Sequence, residues 1–126
     1  MIEKQLISWL KLALCKNVGP VTFWQAIERF GDCEAALAWL ESNGRADVVP
    51  TDRSIHHLIN ECHKKNVTLI TGEDSQYPTR LKELRDAPAV LFAKGQVERL
   101  QGDMVGMVGA RNCSFMAKKQ AQTLAE

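Results

Sequence analysis

The chain has 126 residues, with 16 Lys+Arg against 15 Asp+Glu, 45% hydrophobic and 25% charged. That is ordinary globular composition for one domain or two small ones, and it excludes a disordered or collagen-like chain. No apolar run reaches the roughly 18 residues of a membrane span, and a net charge of +1 excludes a strongly basic tail while leaving room for a local basic site.

Residues 1–66 read as all-helical. Ile2, Leu6, Leu10, Ala13 and Leu14 recur at three- and four-residue steps and give one apolar stripe. This opening carries acid and base in its first turns, unlike a secretory signal. Lys16-Asn17-Val18-Gly19-Pro20 then forms a turn, whose Gly permits positive φ and whose Pro suits a helix start. Phe23, Ile27 and Phe30 carry a second helix that Gly31 ends. Asp32 is an N-cap for a third, with Ala36, Leu37 and Leu40, closed by Asn43-Gly44. Thr51 or Asp52 caps a fourth, with Ile55, Leu58, Ile59 and Cys62 on one face. Eight basic and eight acidic residues leave this half neutral.

Residues 67–126 change character. Val67–Thr71 and Val90–Ala93 read as strands, and Met104–Val108 as a third, apolar on both faces as a buried parallel strand is. Short helical stretches surround Arg80–Leu84 and Val97–Leu100, and a helix runs from Ser114 to the chain end. The fold class is therefore α/β. A small all-helical N-terminal domain (1–66) is followed by the first part of a Rossmann-like parallel sheet (67–126). The helical pattern is still running at Glu126, so an incomplete second domain is expected.

Two segments carry the chemistry. Leu12-x-Leu14-x-x-x-Val18-Gly19-Pro20 has the pattern of a helix-hairpin-helix, in which backbone N–H groups at the turn suit a phosphate, with Lys16 beside Gly19. Its bland alternative is a linker between packed helices. Gly106-Met-Val-Gly109-Ala110-Arg111 with Ser114 is a glycine turn between a strand and a helix N-terminus, an anion cradle with a forked cation. Ser114 caps that helix or donates to the anion, and Lys118 with Lys119 further along forms either a solvated face or a track for a nucleic-acid backbone.

The remaining polar and aromatic residues point to structure. Cys15, Cys33, Cys62 and Cys113 stand singly without a CxxC pair, so reduced thiols packed as small apolar residues are expected. His56, His57 and His63 near Cys62 lack metal-ligand spacing, and no metal is expected. Trp9, Trp24 and Trp39 each sit on a helix that already has an apolar stripe, which favours packing over base stacking. No catalytic constellation assembles from these residues, so neither an enzyme nor a cofactor is expected.

Asp74-x-x-Tyr77-Pro78-x-x-Leu81-x-x-Leu84-x-Asp86-x-Pro88-x-x-Leu91-Phe92-x-x-Gly95, followed by Met107-Val108-Gly109-Ala110-Arg111-Asn112, resembles the DNA-processing protein A (DprA/Smf) family. Members often begin with a small SAM or helix-hairpin-helix domain, which Leu12–Phe30 fits. The resemblance implies a cytoplasmic bacterial protein of natural transformation that binds single-stranded DNA, protects incoming strands and helps load a RecA-type recombinase. It implies that Arg111 lies in the basic pocket holding the DNA backbone and that Gly109 lets that backbone approach. Ala110 stands where Ser is commoner, and Phe115-Met116 where an aromatic-glycine pair is frequent. The family's self-association uses later parts of its α/β domain, so a homodimer is expected only of a longer protein.

Two other classes compete. Lysine-decarboxylase-like nucleotide hydrolases share a similar glycine-arginine turn but lack the Tyr-Pro segment. A protein-interaction module built on the helical half is the other.

Overall fold

The helices of the first half start and stop where local chemistry dictates. The computed structural model describes residues 2–103, 109–112 and 114–125. Helix α1 is Ile2–Ala13, α2 Pro20–Phe30, α3 Cys33–Ser42 and α4 Asp52–Lys64, with a 3-10 turn, η1, at Ala46–Val48. Gly31 ends α2 at φ +92°, a conformation that favours glycine. The Asp32 carboxylate caps α3 by accepting from the Ala35 N–H at 2.7 Å, and the Thr51 hydroxyl caps α4 by accepting from the Ser54 N–H at 3.2 Å. Of the two caps considered for α4, Thr51 is the one used.

The first turn departs from the expected geometry. Gly19 is extended, with φ −90° and ψ −179°, and the positive φ falls on Asn17, at +66°. Asn tolerates the left-handed region because its short side chain hydrogen-bonds locally. Pro20 still begins α2, where its missing N–H costs nothing.

The core forms where α1, α2 and α3 meet. Leu10, Leu12 and Phe23 are fully buried, and Trp9, Phe23 and Trp24 meet in tilted and edge-on pairs with centroids 4.9–5.8 Å apart. Cys15, Cys33 and Cys62 are buried free thiols, as expected of small apolar residues.

The second half leans on that core. Strand β1 is Thr68–Thr71 and β2 Val90–Ala93, with the four-residue helix α5, Thr79–Lys82, between them. The Trp9 indole N–H donates to the Ala89 carbonyl and the Trp24 indole N–H to the Ala87 carbonyl, each at 2.8 Å. Gly72 lies against both indoles, so close that a Cβ there would sit 2.4 Å from Trp24 Cη2. Trp9 and Trp24 thus serve packing, as expected.

The expected parallel pairing does not hold for these strands. β1 and β2 are antiparallel, pairing Thr68 with Ala93, Leu69 with Phe92, Ile70 with Leu91 and Thr71 with Val90. A parallel pair needs a crossover that carries the chain back along the sheet. Here the chain turns back instead: the Tyr77 hydroxyl donates to the Pro88 carbonyl at 2.6 Å. The Gly72 N–H donates to the Ala89 carbonyl at 3.1 Å, so β2 begins beside the end of β1. The described chain is mostly helical with one two-stranded antiparallel sheet. The strand expected over Met104–Val108, with Gly106 of the glycine turn, and Cys113 lie outside the described residues.

After β2 comes a second 3-10 turn, η2, at Val97–Gln101, and helix α6 at Phe115–Ala125. Gln101 ties η2 back to the Tyr-Pro segment by donating to the Tyr77 carbonyl at 2.7 Å and the Ser75 carbonyl at 3.2 Å.

Candidate nucleic-acid interface

The two segments singled out in the sequence are both at the surface. Gly109, Ala110, Arg111, Ser114 and Lys118 are all exposed. Ser114 is the N-cap of α6: its hydroxyl accepts from the Ala117 N–H at 3.2 Å, and its carbonyl accepts from the Lys118 N–H at 3.1 Å. Of the two roles open to Ser114, the cap is the one the geometry displays. Among the described residues no carboxylate pairs with Arg111. A Cβ at Gly109 would meet nothing within 4 Å among the described residues.

At the first hairpin, Lys16 and Gly19 share one exposed turn. The turn is held from below by the Lys16 N–H, which donates to the Val48 carbonyl of η1 at 3.1 Å. Gly19 heads α2 without a side-chain cap, and a Cβ there would meet open space. The N–H groups at the start of α2 therefore lack an internal partner from the capping residue's side chain.

The hairpin also roofs a cleft that the sequence reading missed. Its volume is about 420 Å³, and its lining includes Lys16, Thr22, Arg29, Phe30, Trp39 and Arg45. The Arg29 guanidinium lies over the Phe30 ring at 5.0 Å and over the Trp39 ring at 5.4 Å from the centroids. A signal for this surface did exist in α2: Thr22, Gln25, Ala26 and Arg29 fall at i, i+3, i+4 and i+7, and all four line the cleft. Lys16 and Arg45 gave no such signal, because their convergence depends on η1 folding back under the hairpin.

Comparison with known families settles which kind of chain this is. The model of the DprA-like N-terminal HHH domain matches residues 3–62, and that of the DNA recombination-mediator protein A matches residues 68–126. The chain belongs to the DNA-processing protein A (DprA) family. Two curated relatives carry that name. The DNA processing protein DprA of Bacillus subtilis (strain 168) is 40% identical over 57 residues, 44% of this chain and 19% of the relative. The DNA processing protein DprA of Streptococcus pneumoniae (strain ATCC BAA-255 / R6) is 41% identical over 49 residues, 39% of this chain and 17% of the relative. The matched stretch thus spans under a fifth of either DprA relative. The helical half has the helix-hairpin-helix character of DprA N-terminal domains. No helix among the described residues is long and apolar enough to cross a membrane.

Proposed function

We propose that this chain binds single-stranded DNA and serves DNA processing in natural transformation, protecting incoming strands and helping to load a RecA-type recombinase in the cytoplasm. The observation that carries the reading is the glycine turn ahead of α6. Arg111 is exposed and lacks a carboxylate partner among the described residues, Gly109 leaves open space, and Ser114 organises the helix N-terminus behind them. A forked cation beside a helix N-terminus favours a phosphate oxygen. Lys118, one turn into α6, extends the positive track, and Ala110 contributes its backbone alone. Lys16 and Gly19 offer a second phosphate contact at the hairpin. No turnover chemistry is assigned to these residues.

The test is fluorescence anisotropy of a labelled oligo-dT with the unmodified chain and with Arg111→Ala. The reading expects salt-sensitive binding, weakened about tenfold by loss of the forked contact. Equal binding by the two proteins contradicts the assignment of Arg111. Release of a phosphoribosyl product from AMP contradicts the non-enzymatic reading.

A further inference from the structure

We propose that the cleft under the α1–α2 hairpin is a nucleotide subsite, taking one base and its phosphate from a single-stranded nucleic acid. The proposal deepens the single-strand reading and rests on it, but engages residues far in sequence from Arg111.

Charge is segregated at the cleft. The helical half has eight basic and eight acidic residues, yet Lys16, Arg29 and Arg45 line the cleft and, among the described residues, no Asp or Glu does. None of these three cations is in an ion pair among the described residues. Three elements deliver them: the hairpin supplies Lys16, α2 supplies Arg29, and the loop before η1 supplies Arg45. Backbone hydrogen bonds fix the rim, from the Lys16 N–H to the Val48 carbonyl at 3.1 Å and from the Arg45 N–H to the Leu40 carbonyl at 2.9 Å. Unneutralised cations on a fixed rim select an anion.

One wall of the cleft is aromatic. Leu12, Ala36 and Leu40 make an apolar floor, while Phe30 and Trp39 stand side by side with centroids 5.6 Å apart and planes tilted by 37°. Trp39 is half-buried rather than sealed in the core. The Arg29 guanidinium carbon lies 5.0 Å from the Phe30 centroid and 5.4 Å from the Trp39 centroid, within cation–π range of both rings. Aromatic rings and a stacked guanidinium are the surfaces on which bases of single strands stack. A volume of about 420 Å³ is in the range of small-ligand sites. An acidic peptide would meet the cations but make no use of the flat aromatic wall. The wall and the cations together favour a nucleotide.

The test pairs dTMP with oligo-dT. Arg29→Gln/Arg45→Gln alters exposed side chains only, so the fold is retained, and circular dichroism verifies it. Expected are saturable quenching of tryptophan fluorescence by dTMP and oligo-dT binding weakened about tenfold in the double variant. The same quenching should persist in Arg111→Ala and vanish in the double variant. Unchanged oligo-dT affinity in the double variant, with weakening in Arg111→Ala, overturns the subsite and leaves the single-strand reading standing. Binding of poly-glutamate without any response to dTMP overturns it in favour of an acidic protein partner. Absence of oligo-dT binding by the unmodified chain overturns both readings.

Discussion

The indole N–H of Trp9 donates to the backbone carbonyl of Ala89 at 2.8 Å, a buried hydrogen bond between residues 80 positions apart. With the matching bond from Trp24 to Ala87, it fastens the strand pair to the helical core. Trp9→Phe keeps an aromatic ring but removes one of the two donors to the Ala89 carbonyl, which retains the Gly72 N–H. Chemical denaturation should show a loss of about 0.5–1.5 kcal/mol, the net worth of one hydrogen bond. An unchanged midpoint would mean that water replaces the indole at no cost.

Gly72 and Gly109 should respond oppositely to alanine. At Gly72 the new methyl would sit 2.4 Å from Trp24 Cη2 and 3.2 Å from Trp9 Cζ2, so Gly72→Ala should cost about 1–3 kcal/mol by overpacking. At Gly109 there is open space, and Gly109→Ala should stay within about 0.5 kcal/mol of the unmodified chain. Thermal melts of the two variants check the contrast. A destabilised Gly109→Ala would show that the glycine serves the fold rather than a ligand.

Loss of the Asp32 cap isolates one local term. The carboxylate accepts from the Ala35 N–H at 2.7 Å at an exposed helix start, so Asp32→Ala should lower stability by about 0.5–2 kcal/mol. Asp32→Asn, which keeps an acceptor, should recover most of it. Failure of Asn to do so would assign the loss to charge instead.

Burial pushes the Cys33 thiol up to about 12, with help from the Glu73, Asp32 and Glu34 carboxylates. The folded value lies above the ordinary one, so this stabilisation is complete below an ordinary thiol pKa and fades as pH rises through the folded value. At about pH 8 the thiolate needed for alkylation is scarce in the native chain. Iodoacetamide should therefore leave Cys33 intact until denaturant is added, as peptide mass spectrometry would show. Labelling of the native chain at that pH would contradict the burial.

Local signals carried much of this fold. Asp32 before an apolar run, Gly31 after one, and Thr51 ahead of Ile55 mark helix ends by short-range chemistry, and each holds in the structure. Strand pairing was not legible, because Val67–Thr71 and Val90–Ala93 look alike in either orientation. Orientation is decided by long-range anchors, the Tyr77–Pro88 and Gly72–Ala89 hydrogen bonds. The cleft was hidden for a similar reason. Lys16, Arg29 and Arg45 are dispersed in a sequence of balanced charge and meet only through tertiary packing. The packing role of Trp9 and Trp24 was readable from their apolar helix faces, and Trp39 packs against the same core while also lining the cleft.

Competition between single-stranded and duplex DNA decides the strand preference of the chain. Labelled oligo-dT bound to the chain is challenged with unlabelled oligo-dT or with a duplex of equal length, at low and at moderate salt. The account expects the single strand to displace the label at much lower concentration than the duplex, with affinity falling as salt rises. Equal displacement by duplex, or binding indifferent to salt, would contradict it.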